Sequence, residues 1–220
     1  MKRIALMLLL MSLAIGCSHG LLNQVRGSGN RQRETRQIGS FTSISTEGAF
    51  NIEVVSQKQP ALEIEGDDNI LPLIRTEVSG NVLHIKSQHG YSVSEPIKIT
   101  ISVPNLEGLS ASGAGRMKIS GLKNERFEVD VNGAPVIEVS GETGLLRIKA
   151  NGAGKIDTHR LRAARADVNS NGVAKIDLYA REQLDVEVSG PSSVTYEGDP
   201  VVNKKVNGPG SVQKKVSEGS

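Results

Sequence analysis

Apolar and polar residues alternate along much of the chain, which is the pattern of β-strands. In residues 50–54, 62–65 and 97–101, apolar side chains occupy every second position and polar ones stand between them. A period of two places successive side chains on opposite faces of a strand. Helical periodicity is limited to residues 70–74 and 160–166, each long enough for one helical turn at most. The chain is therefore predicted to be all-β.

A glycine recurs about every 20 residues in the second half of the chain, at spacings of 20, 19, 20, 18 and 18. Asn or Ser precedes each glycine, a compact residue follows it, and the fourth and fifth residues after it are apolar and polar. These turns form a predicted structural ladder that includes Gly113, Asn132, Gly133, Asn151, Gly152, Asn171, Gly172, Gly190, Asn207 and Gly208. Self-similarity at a fixed period indicates a repeat architecture.

The repeat predicts a parallel β-solenoid with coils of about 20 residues. Each coil stacks its residues at the ~4.8 Å strand spacing on their counterparts in the next coil, so one position must keep one residue class. A sandwich would not impose the same class at every step. Glycine permits a tight corner, and Asn or Ser can bond to the local backbone there. Gly48 starts a segment with the same pattern, and the region between Gly48 and Gly113 is predicted to be strand-rich but less regular.

The N-terminus has the features of an export signal. A short basic segment precedes the apolar run Ile4–Ile15, which is too short to span a bilayer as a mature helix. The run ends in Leu13–Cys17, which resembles the lipobox of bacterial lipoproteins. That resemblance implies cleavage before Cys17, lipid on the cysteine thiol, and a membrane as partner through this lipid. By resemblance to enterobacterial sorting, Ser18 favours the outer membrane over the inner.

The net charge of the chain is different once the predicted signal peptide is removed. The whole chain has 26 basic and 24 acidic residues, and removing residues 1–16 leaves 24 of each. Four arginines against one glutamate make residues 18–37 positive and the remaining body negative, so a nucleic-acid partner is not expected. The predicted division is a signal peptide (1–16), a flexible tether (17–37), one solenoid domain (38–216) and a tail (217–220).

No residue set matches a known catalytic, cofactor or metal site, and none is predicted. His84 and His89 lack a third ligand, and zinc needs three or four. Residues 67–69 are acidic but lack the spacing of a calcium loop, so we expect a polar turn there. The glycine-rich turns are not followed by a helix, as a phosphate loop requires.

The solenoid register would gather charged residues on one outward face. This predicted binding face contains Arg116, Lys118, Glu138, Lys155, Asp157, Lys175 and Asp177. Stacked carboxylates about 5 Å apart would also suit a retaining glycosidase, so a polysaccharide-active enzyme is an alternative. A further alternative is a plain solvent face on which each acid is neutralised by a neighbouring lysine.

Several segments together resemble the bacterial GIN-domain family. The resemblance rests on residues 44–54, 74–78 and 83–86 and on the glycine repeats, and it covers roughly residues 38 to 215. It implies a β-solenoid in the cell envelope, with members described as heads of autotransporter adhesins, and it transfers no catalytic residue. The predicted function is a non-enzymatic, lipid-anchored binding module whose partner is a glycan or an envelope or host protein. A periplasmic scaffold or stress protein is the other non-enzymatic alternative.

Overall fold

The computed structural model describes residues 24–215. The predicted signal peptide and Cys17 lie outside the described residues, as does the predicted tail. The described part contains seventeen strands and one 3-10 turn (Leu71–Leu73). The strands are β1 (Val25–Arg26), β2 (Arg31–Arg36), β3 (Ser43–Glu47), β4 (Asn51–Ser56), β5 (Ala61–Asp67), β6 (Ile74–Ser79), β7 (Val82–Ser87), β8 (Tyr91–Ser92), β9 (Lys98–Val103), β10 (Gly108–Ser112), β11 (Arg116–Val131), β12 (Val136–Ala150), β13 (Lys155–Ser170), β14 (Lys175–Val188), β15 (Ser193–Glu197), β16 (Val201–Val206) and β17 (Ser211–Lys214).

The long strands β11 to β14 each form most of one coil of a parallel β-solenoid, which confirms the predicted fold. Each of these strands contains two straight segments joined by a bend. We call the first segment in chain order arm A and the second arm B. Arm A of one coil pairs in parallel with arm A of the next, as in Ile137 with Ile156. Arm B does the same, as in Ile148 with Val168. Strands β4, β15 and β17 continue the arm A sheet, and β10 and β16 continue the arm B sheet.

The interior of the coils is filled by columns of aliphatic side chains. The apolar position four residues after each ladder glycine is buried in every coil, from Met117 at 1% exposure to Ile137, Ile156 and Ile176 at 0%. Burying one such side chain contributes about 1.5–3 kcal/mol. Because equivalent residues stack at strand spacing in a narrow interior, the column favours one size of side chain. The expected apolar columns are confirmed.

The ladder glycines are required by close stacking of the corners rather than by backbone conformation alone. A Cβ atom at Gly152 would lie 1.9 Å from the carbonyl oxygen of Gly133 in the preceding coil, and one at Gly172 would lie 2.0 Å from that of Gly152. The same carbonyls accept hydrogen bonds from the next coil, as in Ala153 N to Gly133 O at 2.9 Å. Within the ladder, positive φ is confined to Gly113 and Gly208. The permissive-φ explanation is therefore wrong for the central corners.

The N-terminal end of the solenoid is closed by antiparallel strands. The arm A sheet continues through β4 and β9 to β5 and then β2, with the last two pairings antiparallel. The arm B sheet continues through β3 and β7 to β6, and the final pair is antiparallel. This region matches the predicted irregular, strand-rich part. The outermost strands, β2 and β6, each contain charged residues, which discourage pairing with another chain.

The prediction of a flexible tether up to residue 37 is wrong for residues 25–36. These residues form β1 and β2, and β2 pairs with β5 along its whole length. The intervening loop is bonded to the predicted polar turn: Gly29 N donates to Asp67 Oδ2 at 2.9 Å, and Ser28 Oγ donates to Asp68 Oδ1 at 2.6 Å. Polarity concealed this strand, because an edge strand needs few apolar side chains.

Arginines in β2 pair with acids of this cap. Arg31 lies 3.4 Å from Glu65, and Arg33 lies 2.8 Å from the other oxygen of the same carboxylate. Arg36 is paired with Glu34 and donates to the carbonyl oxygens of Leu71 and Ile74. Since Ile74 begins β6, the Arg36 side chain joins the edge of the arm A sheet to the edge of the arm B sheet.

Two further local predictions have opposite outcomes. Residues 71–73 form a single 3-10 turn, as the pattern at residues 70–74 indicates. Residues 160–166 do not form a helical turn but lie within β13. Their irregular pattern reflects the bend between the two arms, where the register shifts. Within the described part, no helix has the length and hydropathy needed to cross a membrane.

Candidate binding face

The predicted binding face lies on the outside of arm A, and we call it Face A. Its members are Arg116, Lys118, Glu138, Lys155, Asp157, Lys175 and Asp177, none of which is buried. They alternate with buried residues of the same strands, as a period of two requires. The structure therefore brings all seven side chains onto one outward surface that spans four coils.

Face A contains two neighbouring columns in which like charges lie next to each other, although Lys118 lies across from Glu138 at the start of the acidic one. In one column Lys155 pairs across strands with Lys175, and only Val136 separates Lys155 from Arg116. In the other column Glu138 pairs with Asp157, and Asp157 with Asp177. Like charges directly opposite each other on neighbouring strands are destabilising. This arrangement does not favour stability of the fold.

The lysines of Face A do not neutralise its acids. Among residues 24–215, Arg116, Lys118, Lys155, Lys175 and Asp177 form no ion pair. Two acids are paired instead by residues at the bend: Glu138 lies 3.4 Å from Arg160, and Asp157 is bonded to His159. The expected direct lysine salt bridges are therefore absent from the described part of Face A, and Lys155 acts on Asp157 only through its charge at longer range.

His159 controls the ionisation of Asp157. Partial burial acts to raise the pKa of the Asp157 carboxyl, but hydrogen bonds from the ring and backbone of His159, with the charges of His159 and Lys155, outweigh it. The net result is a pKa below the ordinary value for aspartate. Asp157 is thus held as a carboxylate, which suits an acceptor or an ion-pairing group and not a proton donor.

A pocket of about 300 Å³ at the C-terminal end of Face A contains residues that the sequence did not single out. Besides Asp157 and Asp177 it is lined by His159, Glu197 and Lys215, among others. Lys215 Nζ lies 2.8 Å from Glu197 Oε1. Since Glu197 and Lys215 belong to the last coils, where the repeat pattern weakens, only the register could have placed them beside Face A.

The opposite sheet has a different charge pattern. Face B is the outer surface of arm B and contains Glu128, Asp130, Arg147, Lys149, Asp167, Asn169, Asp185, Glu187, Asn203 and Lys205. Lys149 lies 2.8 Å from Glu128, Arg147 lies 3.3 Å from Asp167, and Lys205 lies 2.8 Å from Glu187. The hydrogen bond from Lys149 also holds the pKa of Glu128 below its ordinary value. Six charged residues of Face B are therefore paired within the protein, although Asp167 also lies across from Asp185.

The remaining predicted residues have structural surroundings. Asn151 donates to Asn132 Oδ1 at 3.2 Å and Asn171 donates to Asn151 Oδ1 at 3.3 Å, so the turn asparagines form a bonded row. His84 is an exposed residue of β7, and His89 lies in the loop before β8. Across residues 24–215, no three His, Cys, Asp or Glu side chains come close enough together to hold a metal ion.

Comparison with known proteins gives a family and a fold. Residues 40–200 match the family model described as "putative auto-transporter adhesin, head GIN domain". None of the curated proteins matches the chain.

Solved structures of similar fold include proteins from Bacteroides and Parabacteroides species. A crystal structure described as a putative adhesin from Bacteroides fragilis is 25% identical, with a TM-score of 0.69 over 87% of this chain and 100% of that one. A putative lipid binding protein from Parabacteroides distasonis is 22% identical, with a TM-score of 0.56 over 88% of this chain and 100% of its own. A putative adhesin from Parabacteroides merdae is 19% identical, with a TM-score of 0.57 over 88% and 100%. The last two likenesses show the fold alone.

Proposed function

The chain belongs to the family of head GIN domains, and from that premise we propose that it is a non-enzymatic binding protein of the cell envelope. In this proposal a lipid on Cys17 anchors it to a membrane, with the outer membrane favoured, and Face A engages a glycan or a protein. The family description and the similar structures described as adhesins support an envelope or surface role. The lipid anchor rests on the signal-like segment that ends at Cys17.

The adjacent like charges of Face A carry the proposal. Lys155 and Lys175 lie across from each other, and so do Asp157 and Asp177, in a protein that forms several ion pairs on Face B. A partner with rows of complementary charge would relieve the repulsion within each column, and the charges would then contribute to binding. Such binding would weaken as salt rises, because exposed charges are screened beyond about 10 Å at 0.1 M ionic strength.

The proposed anchor would fix which end of the solenoid is near the membrane. Six residues separate Cys17 from Gln24, the first described residue. Seven residue steps span at most about 25 Å when fully extended. The N-terminal cap would therefore stay near the bilayer, and the coils that carry Face A would extend away from it.

Two measurements on cells test the anchor and the exposure. Cys17→Ser is expected to release the protein from the membrane fraction, whereas Ser18→Ala should leave it bound; continued membrane association of Cys17→Ser would refute the lipid anchor. Protease added to intact cells is expected to degrade residues 38–216. Protection until the cells are permeabilised would exclude adhesion and favour the periplasmic scaffold or stress role.

A polysaccharide-active enzyme is the second candidate, favoured by the adjacent carboxylates of Asp157 and Asp177 in the 300 Å³ pocket. A retaining glycosidase pairs a carboxylate nucleophile with a carboxylic acid, and the lowered pKa of Asp157 suits only the nucleophile. We place binding ahead of catalysis because the family description and the most similar of these structures name adhesins. Release of reducing ends from acidic and neutral polysaccharides, abolished by Asp157→Asn, would reverse that order.

A further inference from the structure

The bend between arm A and arm B is shorter in β14 than in β13, and a groove lies where the bend length changes. Thr158 pairs with Leu178, and Arg165 pairs with Gln183. The bend between these pairs contains residues 159–164 in β13 but only residues 179–182 in β14. Two fewer residues leave a recess beside the longer coil. A groove of about 480 Å³ lies here, across the bends of four consecutive coils and apart from Face A.

Small residues form part of the groove lining and longer polar side chains the rest. Gly144, Ala163 and Ala164 belong to the two central coils. A Cβ atom at Gly144 would lie 2.7 Å from the carbonyl oxygen of Glu125, so the glycine is required by the stacking of the bends. Absence of side-chain bulk on successive coils keeps the recess open along the solenoid axis.

A column of alternating charge runs along the groove. Lys123 pairs across strands with Glu142, and Glu142 pairs with Arg162. Within the described part of the chain, neither cation forms an ion pair, and all three residues are exposed. The two cations are separated by two strand spacings, about 9.6 Å. Arg181 also lines the groove but is paired with Glu182 at 2.6 Å.

The guanidinium of Arg162 is held in place by an aromatic ring. Its Cζ atom lies 4.4 Å from the centroid of the Tyr179 ring, within the range of a cation–π contact. A stacked guanidinium keeps its planar set of donors for a carboxylate, and less side-chain freedom is lost when that carboxylate binds. The groove thus contains a preorganised anion-binding group with an aromatic surface beside it.

We propose that this groove binds an acidic polysaccharide that carries a carboxylate on every second sugar. One strand spacing of ~4.8 Å is close to the length of one pyranose residue, so a glycan laid along the axis keeps step with the coils. Carboxylates on alternate sugars would meet Lys123 and Arg162. The intervening neutral sugar would place its hydroxyl or amide N–H groups against Glu142, which is an acceptor only. The groove is a second binding surface, and its ligand is independent of any partner of Face A.

Titration calorimetry of the full chain in a non-ionic detergent tests the proposal with a hyaluronan octasaccharide, whose glucuronates alternate with N-acetylglucosamines. Saturable binding is expected, and Arg162→Gln should weaken it at least about 10-fold through loss of a charge-assisted pair. Arg147→Gln, the same change on Face B, should leave the affinity unchanged. An unaltered thermal unfolding midpoint will confirm that Arg162→Gln folds, since its side chain is exposed.

Two further ligands test the spacing. The methyl-esterified octasaccharide has the same rings without the carboxylate charges and should not bind. Oligogalacturonate has a carboxylate on every sugar, so it should bind more weakly than hyaluronan and gain affinity in Glu142→Gln. Absence of hyaluronan binding, equal binding of the methyl ester, or equal affinity in Arg162→Gln would overturn the proposal. Loss of binding in Lys155→Gln/Lys175→Gln would transfer the site to Face A and would also overturn it.

Discussion

Face A and Face B are built on the same four coils, at the same strand spacing, yet ion pairs between facing strands are formed mainly on Face B. On Face B, opposite charges meet at 2.8–3.3 Å, across strands in Arg147 with Asp167 and diagonally in Lys149 with Glu128. One like pair, Asp167 and Asp185, also lies across strands there. On Face A, Lys155 lies across from Lys175 and Asp157 from Asp177. Because the backbone imposes the same register on both, the fold does not require like columns. The ion pairs of Face B contribute to stability, whereas the adjacent like charges of Face A do not, which is why we propose Face A as the binding surface.

The largest expected effect comes from a substitution that disrupts the stacking of the coils, on which both faces depend. Gly152→Ala would place a Cβ atom 1.9 Å from the carbonyl oxygen of Gly133, which is backbone and cannot move aside cheaply. We expect a loss of about 3 kcal/mol in the free energy of unfolding, the upper end for overpacking, measured by urea denaturation.

Gly39→Ala is the matched control for that substitution. A Cβ atom at Gly39 would meet only Val78, at 4.0 Å, and the residue does not have a positive φ. Its unfolding free energy should stay within about 0.5 kcal/mol of the unchanged protein. Equal loss in both variants would show that corner stacking is not what the ladder glycines provide.

The next largest effect is a loss of stability when the contact between the N-terminal edges of the two sheets is removed. Arg36→Met keeps the length of the side chain but removes the donors to the carbonyl oxygens of Leu71 and Ile74. A buried acceptor left without a partner costs about 1–3 kcal/mol. Arg33→Met removes an exposed arginine of the same strand whose partners are partly exposed acids, so it should cost less than about 1 kcal/mol. Identical effects would contradict the joining role of Arg36.

A pair of double variants compares the faces directly. Arg147→Gln/Lys149→Gln on Face B should destabilise the protein by up to about 1 kcal/mol, since exposed ion pairs contribute little each. Lys155→Gln/Lys175→Gln on Face A should leave stability unchanged or raise it by a few tenths of a kcal/mol, because it removes a like-charge contact. Destabilisation by the Face A variant larger than that by the Face B variant would contradict the comparison.

The smallest effect is the pH dependence of one Face B pair. The pKa of Glu128 is lowered in the folded state by Lys149, so the pair stabilises above the pKa of the unfolded glutamate, and that contribution is lost as pH falls through the lowered pKa. The stability difference between the unchanged protein and Lys149→Met should therefore be present at pH 7 and vanish in acid. A difference that persists below about pH 3 would mean that packing, not charge, is the cause.

Sequence periodicity predicted the repeated features of the fold and missed the features that do not recur in every coil. The solenoid, its buried columns and the seven residues of Face A follow from a fixed register, and the GIN-domain resemblance is confirmed by the match over residues 40–200. Strand β2 was missed because its sequence is polar and its partner β5 lies over 25 residues away. His159 and Tyr179 were missed because bends vary in length from coil to coil. Partners of Face A and lipid on Cys17 stay predictions.

Adhesion of intact cells to a mucin-coated surface, which offers both glycan and protein, tests the central claim most directly. Cells that carry the unchanged chain would be compared with cells that carry the Face A or the Face B double variant, at equal surface amounts. The account predicts that Lys155→Gln/Lys175→Gln lowers the number of adhering cells at least about 10-fold, as expected for loss of charged groups at an interface. It also predicts that Arg147→Gln/Lys149→Gln adheres like the unchanged chain. Equal adhesion by all three, or equal loss in both variants, would contradict it.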